Sequence, residues 1–341
     1  MSSQKAIRTR GTTFTWGART YVMGIVNVTP DSFSGDGLLC SPGPTTPPAP
    51  SASPVRLPES AAPSRTDLPD PVVAAVEQAR RMVAEGADIL DVGGESTRPG
   101  HLPVDADEEL ERVLPVVRAI RAALPDVPIS IDTAKPEVAS AALDAGADWI
   151  NDVWGTGPSD DLPRLAAARH APYVLMHNRE EARYDDVLAD VLADLAAAVD
   201  RAIGAGLPRD AIVVDPGIGF GKTMEHNLVL LRRLGELRGL GRPILLGASR
   251  KSTIGRLLGG VPPSERVEGT LAITALGIGA GVDIVRVHDV LENVRVARVA
   301  DAIVRAGLRD VDAPPAAGRE RASGHGAGEP RDGDAGGRAR R

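Results

Sequence analysis

Cysteine is all but absent from this chain, with Cys40 the only one among 341 residues. A single thiol excludes an intramolecular disulfide framework and any metal cluster built from cysteines, which suits a reducing compartment. Aromatic residues are scarce as well, at 3%, which disfavours an aromatic-rich β-sandwich. No uninterrupted apolar run reaches the roughly 20 residues of a membrane span. The segment Met1–Arg10 is polar and basic and lacks the apolar stretch of a secretory signal. These shortages lead us to expect a soluble cytoplasmic protein. Basic charge is also in deficit: 39 Lys and Arg against 46 Asp and Glu give a net charge of -7, with a pI near 5.5. A general nucleic-acid binder is therefore not expected, and an anionic ligand has to be met by local arginines and lysines.

What the chain does have is a 43% hydrophobic content dominated by alanine, valine and leucine, enough for one barrel-sized core. The segment Asp215-Pro-Gly-Ile-Gly-Phe-Gly-Lys222 follows the β-branched run Ile212, Val213, Val214. A strand there delivers a carboxylate into a turn whose glycines let backbone approach a ligand closely. Seven other strand-like runs end the same way, in polar clusters: Gly24-Ile-Val-Asn27-Val-Thr-Pro-Asp31-Ser-Phe-Ser34, Ile89-Leu-Asp91-Val-Gly-Gly-Glu95-Ser-Thr-Arg-Pro-Gly100, Ile129-Ser-Ile-Asp132-Thr, Trp149-Ile-Asn151-Asp152, Val174-Leu-Met176-His177, Ile244-Leu-Leu-Gly247-Ala-Ser-Arg-Lys251 and Ile284-Val-Arg286-Val-His288.

Between them lie alanine-rich segments of helical periodicity at 71–85, 106–123, 136–145, 162–169, 187–205, 225–237, 265–280 and 290–306. Strand then helix, eight times, is the (β/α)8 or TIM-barrel pattern, with active sites at the C-terminal strand ends. A recurring phrase, Glu85-Gly-Ala-Asp88, Ala145-Gly-Ala-Asp148 and Ala280-Gly-Val-Asp283, puts a glycine where each helix stops. A doubly wound sheet is the competing α/β architecture, but it usually needs fewer strands.

Three stretches fall outside the barrel. Residues 1–20 form an N-terminal segment with a β-hairpin, expected over Thr12–Tyr21 with its turn at Trp16–Arg19, covering the barrel bottom. The barrel itself is expected over residues 21–309. Within it, residues 38–69 form a Pro-, Ser- and Ala-rich insert in the first βα loop, expected to be disordered, as is the Gly- and Arg-rich tail of residues 310–341.

With all eight strand ends in view, the chain resembles the dihydropteroate synthases, the folate-pathway enzymes inhibited by sulfonamides. The phrases that carry the likeness run from Met23-Gly-Ile-Val-Asn-Val-Thr-Pro-Asp-Ser-Phe-Ser34 through Asp91-Val-Gly-Gly-Glu-Ser-Thr-Arg-Pro-Gly100, Ser130-Ile-Asp-Thr133, Ile150-Asn-Asp152, Leu175-Met-His177, Asp215–Lys222 and Gly247-Ala-Ser-Arg-Lys251 to Arg286-Val-His288. They occur in family order over roughly Tyr21–Arg305. The first loop departs from the family pattern, reading Ser34-Gly-Asp-Gly37 where Ser-Asp-Gly-Gly is frequent. Because loop entropy grows only logarithmically, deletion of Leu39–Leu68 is expected to leave turnover within a few-fold.

The resemblance implies a transferase that joins (7,8-dihydropterin-6-yl)methyl diphosphate to 4-aminobenzoate, giving 7,8-dihydropteroate and diphosphate. It implies Mg2+ as cofactor and a homodimer, with no nucleic-acid or membrane partner. Asp215 is the candidate for the pterin's guanidine-like edge, which two parallel hydrogen bonds to a carboxylate would match. Asp132, Asn151, Met176, Phe220, Gly247 and Lys251 complete the pterin pocket. The diphosphate falls to Asn27, Arg98, Arg286 and His288, with Asn27 also placing Mg2+. Thr97, Pro99, Ser252 and Phe33 are the candidates for 4-aminobenzoate. The catalytic set is Asp132, Lys251, Arg286 and His288, with Asp132 stabilising positive charge on the pterin methylene in an SN1-like step.

Plainer readings stand beside these. Asp132 and Asn151 could cap the following turn, His288 could be a helix-start histidine, and Ser252 could be an N-cap. A non-catalytic pterin-binding homologue and a pterin-dependent corrinoid methyltransferase are the alternative functions. The first should have lost Asn27, Arg98, Asp132 or the Arg286–His288 pair, and all are present. The second would not need the Glu-Ser-Thr-Arg-Pro-Gly or Ser-Arg-Lys phrases.

Overall fold

The structure, a computed structural model, describes residues 6–28, 71–95 and 104–305. The 38–69 insert and the tail beyond 305 lie outside the described residues. Eight parallel strands follow a two-stranded hairpin. They are β3 (Tyr21–Asn27), β4 (Ile89–Gly93), β5 (Ile129–Asp132), β6 (Trp149–Asp152), β7 (Tyr173–Met176), β8 (Ile212–Asp215), β9 (Leu245–Leu246) and β10 (Ile284–Val287). They pair in the order β8-β7-β6-β5-β4-β3-β10-β9, and a bridge between Val214 and Ile244 joins the two ends. The result is a TIM barrel, with no open sheet edge to protect.

Helices cover the outside: α1 (Pro71–Glu85), α2 (Ala106–Ala123), α3 (Pro136–Ala145), α4 (Asp161–Arg169), α5 (Val187–Gly204), α6 (Met224–Arg232), α7 (Ser252–Leu257), α8 (Val267–Ala280) and α9 (Val290–Val304). Their apolar faces and the outward residues of the strands form the larger buried cluster, from Val22 and Leu90 to Val294. Among the described residues no helix is long and apolar enough to cross a membrane.

The repeated Gly-x-Asp phrase turns out to do two jobs. Gly86, Gly146 and Gly281 take positive φ values of 109°, 115° and 96° and end their helices. Two residues later the aspartate accepts a backbone N–H from the start of the adjacent strand: Asp88 from Val22 at 2.9 Å, Asp148 from Ile129 at 3.0 Å, Asp283 from Ile244 at 3.1 Å. Donors at the bottom rim that no strand neighbour can reach are thereby satisfied.

The N-terminal hairpin is present with its turn elsewhere than expected. β1 (Ala6–Thr9) pairs with β2 (Thr12–Thr15) across Arg10-Gly11, Arg10 taking φ 54°. Tyr21, expected in the hairpin's second strand, instead starts the barrel beside Ile284. The hairpin plugs the barrel's N-terminal end: Ile7 and Phe14 pack with Tyr21, Met23, Ile89, Trp149, Val174, Val213, Leu245 and Ile284. Phe14 is fully buried, with ring centroids 4.9 Å from Tyr21 and 5.2 Å from Trp149. The Trp149 indole donates to Thr9 Oγ1 at 3.0 Å.

Candidate active site

Side chains alternate along a strand, so the residue two positions after each plug residue also faces the barrel axis, one layer higher. Counting from Ile89, Trp149, Val174, Val213, Leu245 and Ile284 gives Asp91, Asn151, Met176, Asp215, Gly247 and Arg286. Asn27 lies four positions beyond Met23, and Asp132 pairs in register with both Gly93 and Asn151. An apolar floor under a polar ring is thus a consequence of the strand period.

Arg286 dominates the ring. Its Nε donates to Asp91 Oδ2 at 2.5 Å and its NH2 to Asp132 Oδ2 at 2.5 Å, so one guanidinium reaches from β10 past β3 to two carboxylates. Asn151 Nδ2 donates to the same Asp91 oxygen at 3.1 Å. Asp91 is fully buried, and its Oδ1 has no hydrogen-bond partner. Burial pushes the Asp132 carboxyl up to about 7; Arg286 opposes this, and the like charges of Asp91 and Glu109 add to it. Arg286 is held well above the ordinary guanidinium range because Asp91, Asp132 and Asp215 outweigh its desolvation. Neither Asp132 nor Asn151 caps a turn: their partners lie across the barrel, and the N-cap of α3 is Lys135.

On the far side of β9 from Arg286 lies the Asp215 cradle. Asp215 Oδ1 accepts from Gly217 N at 2.7 Å, and burial raises its pKa against the pull of Lys251. Gly247 leaves the space beside it: a Cβ there would sit 3.4 Å from Asp215 Oδ2 and 3.9 Å from Arg286 Cδ. Lys251 donates to the Ile218 carbonyl and places Nζ 4.0 Å from the centroid of the Phe220 ring. Burial lowers Lys251 to about 7, with Asp215 opposing. Met176 is buried at the end of β7, beside Asp215 in register. Together these form a slot with a carboxylate, an ammonium and apolar surfaces.

The remaining candidates divide. Ser249 Oγ lies 2.9 Å from His288 Nδ1 and 3.2 Å from its backbone N. The hydroxyl accepts the backbone N–H and is also within hydrogen-bond distance of the ring. His288 precedes Asp289, the N-cap of α9, and is not itself the helix start. Ser252 is exposed and is the first residue of α7, not its N-cap, which is Lys251. Thr97, Arg98, Pro99 and Phe33 lie outside the described residues. The positions flanking 96–103 are tied down: Glu95 accepts from Val104 N at 3.3 Å and Lys135 Nζ at 2.6 Å, and Arg112 donates to the Gly94 carbonyl at 2.8 Å.

Asp91 is the functional residue that the sequence reading missed as a site. The available signal was an aspartate inside the run Ile-Leu-Asp-Val, where a buried charge demands a partner.

The chain matches the family model of pterin binding enzymes over residues 64–288. It is 44% identical over 293 residues to the dihydropteroate synthase of Clostridium beijerinckii, covering 86% of this chain and 97% of that one. Among solved structures, Clostridium difficile dihydropteroate synthase, determined in the presence of pteroic acid, is 45% identical with a TM-score of 0.74, covering 86% and 100%. The Xanthomonas albilineans dihydropteroate synthase with 4-aminobenzoic acid is 38% identical with a TM-score of 0.75, covering 89% and 100%. A barrel whose polar ring pairs an Arg286 bridge with an Asp215–Lys251 slot, and which is this similar to these enzymes over most of its length, belongs to the pterin-binding enzymes and, among them, to the dihydropteroate synthase transferases.

Proposed function

We propose that this protein forms 7,8-dihydropteroate by an SN1-like displacement divided between the two halves of the polar ring. Asp215 accepts the two N–H donors of the pterin's guanidine-like edge, a charge-assisted pairing stronger than a neutral one. Asn151 and Lys251 address the remaining polar edge, and Met176 and Phe220 bound the flat ring. Gly247 keeps the slot open. Arg286 and His288 bind the diphosphate, with Arg98 as a further cation, and Asp132 faces the methylene carbon.

The C–O bond to diphosphate breaks first, and diphosphate leaves with the electron pair. The reduced pterin spreads the resulting positive charge, and the Asp132 carboxylate stabilises it electrostatically. The amine of 4-aminobenzoate then forms the C–N bond and loses a proton. Thr97, Pro99, Ser252 and Phe33 are assigned to the 4-aminobenzoate side, where sulfonamides would compete.

Among the described residues no group of three His, Cys, Asp or Glu side chains could hold a metal ion. Asn27, at the end of β3, offers one hard amide oxygen on the axis side. That donor set fits a Mg2+ that arrives with the diphosphate and takes its other ligands from phosphate oxygens and water. The ion would offset charge on the leaving group.

The carrying observation is Arg286 hydrogen-bonded to both Asp91 and Asp132, with Asp215 two strands away. A cytoplasmic homodimer is part of this reading: Leu276, Val299 and Ile303 on α8 and α9 are 74%, 62% and 75% exposed, an apolar patch suited to a second subunit. The test is to supply purified protein with the dihydropterin diphosphate, Mg2+ and 4-aminobenzoate and follow dihydropteroate by chromatography. Product that requires both substrates supports the reading; pterin binding without product would favour the non-catalytic homologue.

A further inference from the structure

Lys222 closes the Asp215 loop, and its Nζ faces three acceptors: His177 Nδ1 at 2.9 Å, the Phe220 carbonyl at 2.9 Å and the His177 carbonyl at 3.4 Å. Three acceptors call for three N–H donors, which only the ammonium form supplies. The His177 side chain is fully buried. Burial first, then the Lys222 charge, lower its pKa to about 4, so the ring is neutral near pH 7. With Nδ1 accepting from Lys222, the proton sits on Nε2, 3.1 Å from Asp194 Oδ2 on α5. Asp194 is fixed in turn by Arg179, whose Nε and NH2 donate at 2.9 and 2.7 Å. The orientation of one buried ammonium is therefore specified through three further side chains.

That ammonium and Asp215 share Gly217 as a neighbour. Gly217 has φ 66°, and a Cβ on it would sit 1.9 Å from the His177 carbonyl and 3.3 Å from Lys222 Nζ. Gly217 N is the donor that holds Asp215 Oδ1 at 2.7 Å. Gly217 thus neighbours both the charge and the carboxylate.

We propose that Lys222 is a positioning residue for pterin recognition, its charge, aimed by His177 and Asp194, holding Asp215 in the ionised form that accepts the ligand's N–H donors. This rests on the assignment of Asp215 to the pterin edge. Burial raises Asp215, while Lys251, the Gly217 N–H, Arg286 and Lys222 pull it down. Lys222 itself is lowered to about 7, by burial first; Asp215 and Asp194 oppose this, and Lys251 and Arg179 add to it. The two groups stabilise each other's charged forms.

The test is titration calorimetry of the dihydropterin diphosphate, without 4-aminobenzoate, on wild type and Lys222→Met at a series of pH values. Binding should weaken about tenfold near neutrality, as for loss of a charge-assisted contact. The pH midpoint below which affinity falls should also rise by about one unit, because Asp215 loses a neighbouring cation. Unchanged binding, or equal weakening at every pH with the midpoint unmoved, would overturn the proposal; the second result is what a loop fastener alone would give.

Should Lys222→Met fail to fold, Asp194→Ala and Asp194→Asn replace it. Alanine frees the His177 proton to move to Nδ1, where it opposes Lys222, so the midpoint should rise; asparagine keeps an oxygen acceptor and should restore it. Wild-type midpoints in both Asp194 variants would overturn the proposal. A wild type that binds no pterin would overturn the Asp215 assignment itself.

Discussion

Replacing Asp91 by asparagine removes a charge and keeps the shape, and the structure allows its cost to be worked out. Asp91 Oδ2 accepts from both Arg286 and Asn151, whereas Oδ1 is buried without a partner. The amide oxygen of the variant would have to take the Oδ2 position, leaving its NH2 where no acceptor waits. Weakening a hydrogen bond to a charged group and burying an unpaired donor each cost on the order of 1–3 kcal/mol. Together about 2–6 kcal/mol of stability should go, or roughly 4–12 °C in Tm for a domain of this size.

Arg286 keeps its bond to Asp132 while its second anchor, now to a neutral amide, weakens. A misplacement on the order of 1 Å can cost about 100-fold, so kcat/KM should fall between roughly 10- and 100-fold. The pH profile should move the other way. Asp91 is one of the charges that raise Asp132, so removing it lowers Asp132, and the acid limb of kcat/KM should shift below pH 7. Thermal unfolding and a pH series of kcat/KM measure both effects. A variant as stable as wild type, or one slower with the acid limb unmoved, would refute the reasoning.

Other outcomes follow from the same contacts. Gly217→Ala should cost at least about 3 kcal/mol or prevent folding, since its Cβ would meet the His177 carbonyl and its φ is positive; soluble expression and urea unfolding would show it. Phe14→Ala should cost about 3–5 kcal/mol in urea unfolding while leaving KM for both substrates unchanged, because the plug lies a layer below the polar ring. Asp132 has a folded pKa of about 7, above the ordinary carboxylate value of 3.8. Its contribution to stability is thus fully present below about pH 4 and lost as pH rises through about 7. The stability difference between wild type and Asp132→Asn, followed by denaturant unfolding, should change in favour of wild type as pH falls through that window.

The eight strand ends were legible in the sequence because a polar residue following a β-branched run is a local signal, and period two then fixes the side it faces. Asp132, Asn151, Asp215 and Arg286 stand at strand ends marked in that way, and the family resemblance singled out Asp132 and Asn151 among them as site residues. Their pairing was not legible, since Arg286 and Asp91 are 195 positions apart and meet only because closure brings β10 next to β3. The hairpin was placed late because Gly17 between Thr15 and Tyr21 looks like a turn, whereas β1 and β2 are four residues each and too short to show a period. Helix α7, with six residues, shows no period for the same reason, and only the N-cap reading of Ser252 pointed to it. The helix expected over 225–237 instead ends at Arg232 and continues as a 3-10 turn over Leu234–Leu240, where Gly235 and Gly239 weaken the α-helix.

The division of labour between the two carboxylates is tested most directly by comparing Asp132→Asn and Asp215→Asn in parallel, measuring the Kd for the dihydropterin diphosphate and the single-turnover rate of dihydropteroate formation with saturating substrates. The account predicts a crossed pattern: Asp132→Asn binds pterin nearly as wild type and turns over far more slowly, whereas Asp215→Asn loses mainly affinity. Equal losses of affinity and rate in both variants would contradict it.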